Sequence, residues 1–360
     1  MAKQVFRWTS GTGCGIWLRK LRGTRLRSNL TAEGWFRLEA GDRLAHARDL
    51  PIGLPMSEET AEQRAERFAA TLNRHGHPFQ YRVLAELKPL QDSGWTVWNL
   101  EAAEFPVSTD DGGTRTDFVL WAHGTAWWMI GECKRVNPAF GEWFFLRAPY
   151  IRRMHQEGFV AEVATQQEGL FQSGGMVVDH SLWGNYYHIG MDVKTNRPGD
   201  PSGGGQRSAI EEAASQVCRA LNGMIVHLSR RPGAMGPKRV RGLIPVIFTT
   251  AKLYASDVDL SHADLLSGTV RPSALNLAEQ PYVFYQYHQS PGITHGAVPR
   301  REFHELPAAL ITDYVRTIPI VTAASARDFF QRFDPSRFIP RELEWLSADE
   351  FAKWTQGQKG

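Results

Sequence analysis

Two stretches decide the fold: Thr114-Arg115-Thr116-Asp117-Phe118-Val119-Leu120, and, after a turn at His123-Gly124, Ala126-Trp127-Trp128-Met129-Ile130-Gly131-Glu132-Cys133-Lys134-Arg135. Both alternate or run apolar in the manner of strands, and the short polar turn between them predicts an antiparallel hairpin over 116–122 and 126–135. The run Ala126–Ile130 is apolar on both faces, as in a central strand covered from both sides. Side chains alternate along a strand, so Glu132 and Lys134 share one face and Cys133 points to the other. Folding about Gly124 sets Asp117 opposite residue 131, give or take one, and so beside Glu132. Cross-strand neighbours have Cβ atoms about 4.5–5.5 Å apart, close enough for two carboxylates to share one cation.

Two acids and a lysine at the end of an otherwise apolar strand call for an explanation. Adjacent carboxylates repel, and burying charge without compensation is costly. A divalent cation resolves the conflict: Mg2+ (or Mn2+) takes oxygen ligands, keeps waters, and binds through one or two carboxylates plus substrate phosphate. Lys134 would then hold or help deprotonate an attacking water. The competing reading of the same three residues is a structural salt bridge.

Outward from the hairpin, a helix is expected from a Ser57 N-cap, with Glu58 and Glu59 in its first turn, to Gly76. Its residues Ala61, Ala65, Phe68 and Leu72 form one stripe, expected to be buried. Strands are expected at Tyr81–Leu84 and Trp95–Trp98. Residues 136–206 mix aromatics and charges and include a Gly-rich stretch around Pro201-Ser202-Gly203-Gly204-Gly205; they are read as an insertion of unassigned fold. Within it Trp143, Phe144, Phe145, Arg147, Arg152 and Arg153 suit a strand-binding surface or, the favoured reading, a helix with snorkelling arginines. Order returns at Ser208, where Ser208 and Glu211 spell a capping box. Ile210, Ala214, Val217, Leu221, Met224, Ile225 and Leu228 then make the strongest helical stripe in the chain. A buried strand over Leu243–Phe248, strands at 282–287 and 318–321, and a helix near Ala324–Phe333 complete an alternating pattern. The fold class is therefore α/β, a mixed central sheet flanked by helices.

Composition sets the outer bounds. Of 360 residues 42% are hydrophobic, enough to bury a core, and the formal net charge of +3 names no partner by itself. Cations cluster at Lys3, Arg7, Arg19, Lys20, Arg22, Arg25 and Arg27, and again at Arg230, Arg231, Lys238, Arg239 and Arg241. Such runs track phosphates or form a solvated face. Cys14, Cys133 and Cys218 are far apart with no CxxC pair, which argues against structural zinc and fits a reducing compartment. No signal peptide or membrane span is evident, so the expected location is cytoplasmic. Gly11-Thr12-Gly13-Cys14-Gly15 lacks the Lys-Ser/Thr of a P-loop, and the twelve histidines form no HExxH.

The constellation Asp117, Glu132-x-Lys134 resembles the PD-(D/E)XK nuclease superfamily, which includes restriction endonucleases and Holliday-junction resolvases. Thr116 stands where the family name implies Pro. The resemblance covers residues 57–255 less the insertion. It implies a restriction endonuclease-like core over 57–350, with a basic aromatic extension at 1–56, the insertion at 136–206 and a polar tail at 351–360. It further implies that Asp117, Glu132 and the backbone carbonyl of Cys133 bind the metal and that Lys134 serves the nucleophilic water. Glu66 (or Glu62) would add a carboxylate from the first helix, and Gln216 would reach the site from the helix that follows. The implied function is a Mg2+-dependent nuclease, an endonuclease on DNA in preference to RNA, in restriction or phage defence. Arg19, Lys20, Arg22, Arg230, Arg231, Lys238 and Arg239 are the candidate nucleic-acid contacts. A homodimer or protein partner stays open. The alternative is a catalytically inactive nucleic-acid-binding or scaffold module on the same fold.

Overall fold

The structure is a computed structural model of the chain; it describes residues 59–109, 112–123, 127–148, 159–167, 170–178, 186–193, 208–229, 240–289 and 315–335. The chain divides into two units, Met1–Thr60 and Ala61–Gly360, and all but two of the described residues belong to the second. The first two candidate N-cap and first-turn residues, Ser57 and Glu58, and the basic residues Arg19, Lys20, Arg22, Arg230, Arg231, Lys238 and Arg239 lie outside the described residues.

The expected hairpin is the spine of the fold. Strand β2 (Gly112–Ala122) pairs antiparallel with β3 (Trp127–Lys134), and the register runs from Trp121 opposite Trp128 to Phe118 opposite Gly131. One step further sets Asp117 against Glu132. On its other edge β3 pairs in parallel with β9 (Val240–Thr249), in which Leu243, Ile244, Val246, Ile247 and Phe248 are all fully buried. Strands apolar on both faces take the centre of a sheet because helices cover them from both sides. Outside β2 lies β1 (Trp98–Thr109), antiparallel. Outside β9 lie β13 (Val315–Thr322), β12 (Tyr282–His288) and β7 (Tyr186–Tyr187). The hairpin β5 (Phe159–Gln167) and β6 (Leu170–Val178) pairs with the start of β9, completing a mixed nine-stranded sheet. A second sheet has the order β11 (Ala278–Gln280), β10 (Lys252–Ser256), β4 (Glu142–Leu146), β8 (Ile189–Val193).

Helices sit on both faces of the main sheet. Helix α3 (Ala209–Ser229) lays Ile210, Ala213, Ala214, Val217, Leu221 and Met224 on one face. Helices α2 (His77–Asp92) and α4 (Ala326–Arg332) cover the other, with Val83, Leu84, Leu87, Phe329 and Phe330 packed on Phe118, Met129 and Phe248. The α/β class with mixed sheets is as the sequence indicates. No helix among the described residues is long and apolar enough to cross a membrane.

Several local expectations are corrected. Tyr81–Leu84 is not a strand but part of α2: Pro78 opens the helix, and Gln80, Val83, Leu84, Leu87 and Leu90 recur at helical spacing on its buried face. The strand expected at Trp95–Trp98 begins only at Trp98 and extends to Thr109. Helix α1 (Ala61–Arg74) forms, but its stripe is not buried: Phe68 is 63% and Leu72 53% exposed. Residues 136–206 are not left aside from the core. They supply β4 to β8, and Trp143–Phe145 is a strand with Trp143 and Phe145 buried, not a helix of snorkelling arginines. Their period of two, not the arginines nearby, decided the element.

The start of α3 also differs. Ser208 precedes the helix, but its hydroxyl is buried without a hydrogen-bond partner. The Ala209 N–H instead donates to Asp192 Oδ2 at 2.6 Å, a cap supplied from β8, and Glu211 accepts from the Tyr285 hydroxyl at 3.1 Å. Anion and orphan N–H meet as capping requires, but across the tertiary fold.

Candidate metal centre

Beyond the last pair of the β2–β3 ladder, Phe118 opposite Gly131, side chains open into a cavity of about 670 Å³ whose lining includes Glu104, Asp117, Glu132, Cys133, Lys134 and Gln216. Alternation along β3 places Glu132 and Lys134 on the same side of the sheet as Ile130, the side covered by α3, while Cys133 packs toward the α2 core. Four of the residues singled out from sequence and resemblance, Asp117, Glu132, Lys134 and Gln216, thus line one space, with Cys133 between them.

Each is held by a specific feature. The Asp117 backbone carbonyl accepts from the buried Gln80 Nε2 at 2.7 Å, fixing β2 to α2. Asp117 Oδ2 accepts from the Cys133 N–H at 2.6 Å, so this carboxylate reaches across to the partner strand where the ladder stops. Thr116, in the family's Pro position, is buried and its hydroxyl donates to the Gly131 carbonyl at 3.0 Å. Gly131 admits no side chain: a Cβ there would overlap the ring of Phe118, which lies flat over β3 immediately before the acids. Lys134 Nζ pairs with Glu212 Oε2 on α3 at 2.8 Å. Gln216, one helical turn on from Glu212, carries a buried Oε1 with no hydrogen-bond partner.

Glu132 is the anomaly. It is only 9% exposed, and among the described residues no hydrogen bond or ion pair satisfies its carboxylate. Burial, and then the charge of Asp117, push its pKa up to about 8; Lys134 opposes this but does not cancel it. Asp117 rises to about 6, again chiefly from burial, against the Cys133 N–H bond, which lowers it. The Cys133 thiol is driven well above its ordinary range, by burial first and then by the two carboxylates. A thiol held protonated in this way is a poor nucleophile. Two neighbouring acids that burial and mutual repulsion hold partly neutral are an arrangement that a hard cation would reverse.

The donor set suits a hydrated Mg2+ or Mn2+: carboxylate and amide oxygens, no thiolate, and an open cavity with room for water and a phosphate. Among the described residues there is no group of three or more His, Cys, Asp or Glu side chains that could hold a metal ion. Mg2+ often takes only one or two carboxylates from the protein, so the set fits that ion and not a zinc cage.

Glu66 does not belong to this space. It lies on the fully exposed α1 and is absent from the cavity lining, as is Glu62. The lining includes instead Glu104 of β1, which the sequence reading missed because it saw no strand there. His77, Gln80 and Glu212 were also missed; for Glu212 the signal was available, since it stands four residues before Gln216 on one helix face.

Comparison with protein-family models, with curated proteins and with solved structures finds no match to this chain.

Proposed function

We propose that this chain is a Mg2+-dependent nuclease that hydrolyses nucleic-acid phosphodiesters, on a core like that of the PD-(D/E)XK superfamily. The element order α2, β1, β2, β3 and then, after the inserted β4 to β8, α3 and β9, with the acids on β2 and β3 and α3 crossing over them, supports that likeness. The single observation that carries the proposal is Glu132: a buried carboxylate with no hydrogen-bond or ion-pair partner among the described residues, beside Asp117, facing an open cavity.

In this reading Asp117 and Glu132 hold the cation, with the Cys133 carbonyl between them. A cation there would supply a Lewis acid that polarises the phosphodiester and lowers the pKa of a bound water. Lys134, anchored at 2.8 Å by Glu212, presents its ammonium on the same face and offsets the charge that develops on the phosphate oxygens. Gln216 offers its unpartnered Oε1 to a water or a ligand in the cavity. Arg74 and Arg135, on the cavity rim, suit a phosphate backbone running past the acids. DNA in preference to RNA, endonucleolytic cutting, and a role in restriction or phage defence are proposed on the resemblance.

The test is incubation with supercoiled plasmid. Nicking or linearisation is expected with Mg2+, blocked by chelation and abolished in Asp117→Ala and Lys134→Ala. Cleavage that survives in both variants would refute the assignment. Loss of cleavage in the wild type together with intact nucleic-acid binding would favour the inactive binding module instead.

A further inference from the structure

The roles given above leave unused a pair of side chains on one wall of the cavity, His77 and Glu104. His77 Nδ1 lies 3.4 Å from Glu104 Oε1, an ion-pair distance once the ring is protonated. Two features place the pair. Glu104 stands on β1 between Ala103, opposite Phe118, and Phe105, opposite Thr116, and so beside Asp117. His77 opens α2, and Gln80, three residues on and on the same face of the helix, donates to the Asp117 carbonyl at 2.7 Å. The strand changes phase at this point: Ala102 and Phe105 both pack on the α3 side of the sheet and Ala103 on the α2 side, with φ 51° at Glu104. The ring of His75 lies nearly parallel to that of His77, 6.2 Å away between centroids, and lines the same cavity.

This pair and Lys134 approach the cavity from opposite sides. Lys134 is anchored by Glu212 on α3, whereas His77 begins α2, and the two helices cover opposite faces of the sheet. Phosphodiester hydrolysis sets the attacking and leaving oxygens roughly in line across phosphorus, so the two are served from different sides. The resemblance gives Lys134 to the attacking water; the leaving oxygen needs a group of its own. An alkoxide leaves poorly unless it is protonated as its bond breaks, and histidine is the side chain most often used for that transfer. A carboxylate facing Nδ1 fixes how the ring is turned and leaves Nε2 as the nitrogen free to donate.

We propose that His77 is the general acid of this site, giving its Nε2 proton to the leaving oxygen, with Glu104 as the residue that positions it. The proposal rests on the nuclease reading above. The step balances without a further reactant. The water oxygen bonds to phosphorus and releases a proton to solvent, the bond from phosphorus to the leaving oxygen breaks with its electron pair, and that oxygen takes the proton of His77. Solvent then reprotonates the ring. The products are a phosphomonoester and an alcohol.

The test compares two substrates of the full chain in Mg2+. One is supercoiled plasmid, whose leaving group is an alkoxide; the other is bis(4-nitrophenyl) phosphate, whose 4-nitrophenolate departs without a proton. His77→Gln is expected to slow plasmid cleavage about 100-fold or more while cutting the nitrophenyl ester at nearly the wild-type rate. Glu104→Gln should slow plasmid cleavage less, and should add no loss when combined with His77→Gln. Calorimetric Mn2+ affinity and the metal-free melting temperature of His77→Gln should match the wild type. Wild-type plasmid cleavage by His77→Gln would overturn the proposal. So would equal losses on both substrates, which mark a binding or structural role, or weakened Mn2+ binding, which marks a metal ligand. A wild type that cleaves neither substrate would refute the nuclease reading itself.

Discussion

Replacing Glu132 with glutamine should make the metal-free protein more stable, and increasingly so as the pH rises. The sign follows from the direction of the shift. With its pKa raised from 4.5 to about 8, the folded protein keeps a proton that the unfolded chain gives up, so folding is penalised as pH rises through this window. Below about pH 4.5 the penalty is absent; above about pH 8 it is complete. At 1.36 kcal/mol per pKa unit the full penalty is roughly 5 kcal/mol, and the part that accrues between pH 5 and pH 9 is roughly 4 kcal/mol. The Glu132→Gln amide has its own desolvation cost, but this does not vary with pH, so the change in the stability difference isolates the carboxylate. At about 2 °C per kcal/mol for a domain of this size, the variant should gain roughly 8 °C on the wild type between pH 5 and pH 9. Differential scanning fluorimetry in chelator reads this directly. Saturating Mn2+ should narrow the gap at high pH, because a ligand at about 100 times its Kd adds about 2.7 kcal/mol to the wild type alone. A difference in melting temperature that stays constant with pH would refute the claim that Glu132 is buried without compensation.

Two further predictions concern what holds the site in place. Asp192→Ala should cost about 1 kcal/mol in urea unfolding, because it caps the first N–H of α3, whereas Ser208→Ala should cost almost nothing, since its hydroxyl bonds to nothing. Gly131→Ala should destabilise by about 1–3 kcal/mol through overlap with the Phe118 ring, with partial recovery in the Phe118→Leu double variant, measured by the same unfolding curves.

How much of this was legible in the sequence depends on the range over which each signal acts. The hairpin and its acids were readable because a short turn fixes register: Phe118 opposite Gly131 follows almost from counting residues around Gly124. The stripe of α3 was readable for the same local reason. Misreadings came where local patterns compete with tertiary context. Tyr81-Arg82-Val83-Leu84 looks like a strand in isolation, and only the wider spacing from Gln80 to Leu90 marks a helix. Phe68 and Leu72 have the spacing of a buried face, yet periodicity cannot say whether anything covers it. Glu104 was invisible for a deeper reason. A phase change in a strand comes from one backbone dihedral, and nothing in Glu101-Ala102-Ala103-Glu104-Phe105 announces it.

The central claim is that Asp117 and Glu132 share a divalent cation, and a crystal soaked in Mn2+ with data collected at the manganese edge tests it most directly. An anomalous peak between the two carboxylates, lost in Glu132→Gln crystals, is the expected result. A soaked crystal with both side chains ordered, no peak beside them and Glu132 still unpartnered would contradict it.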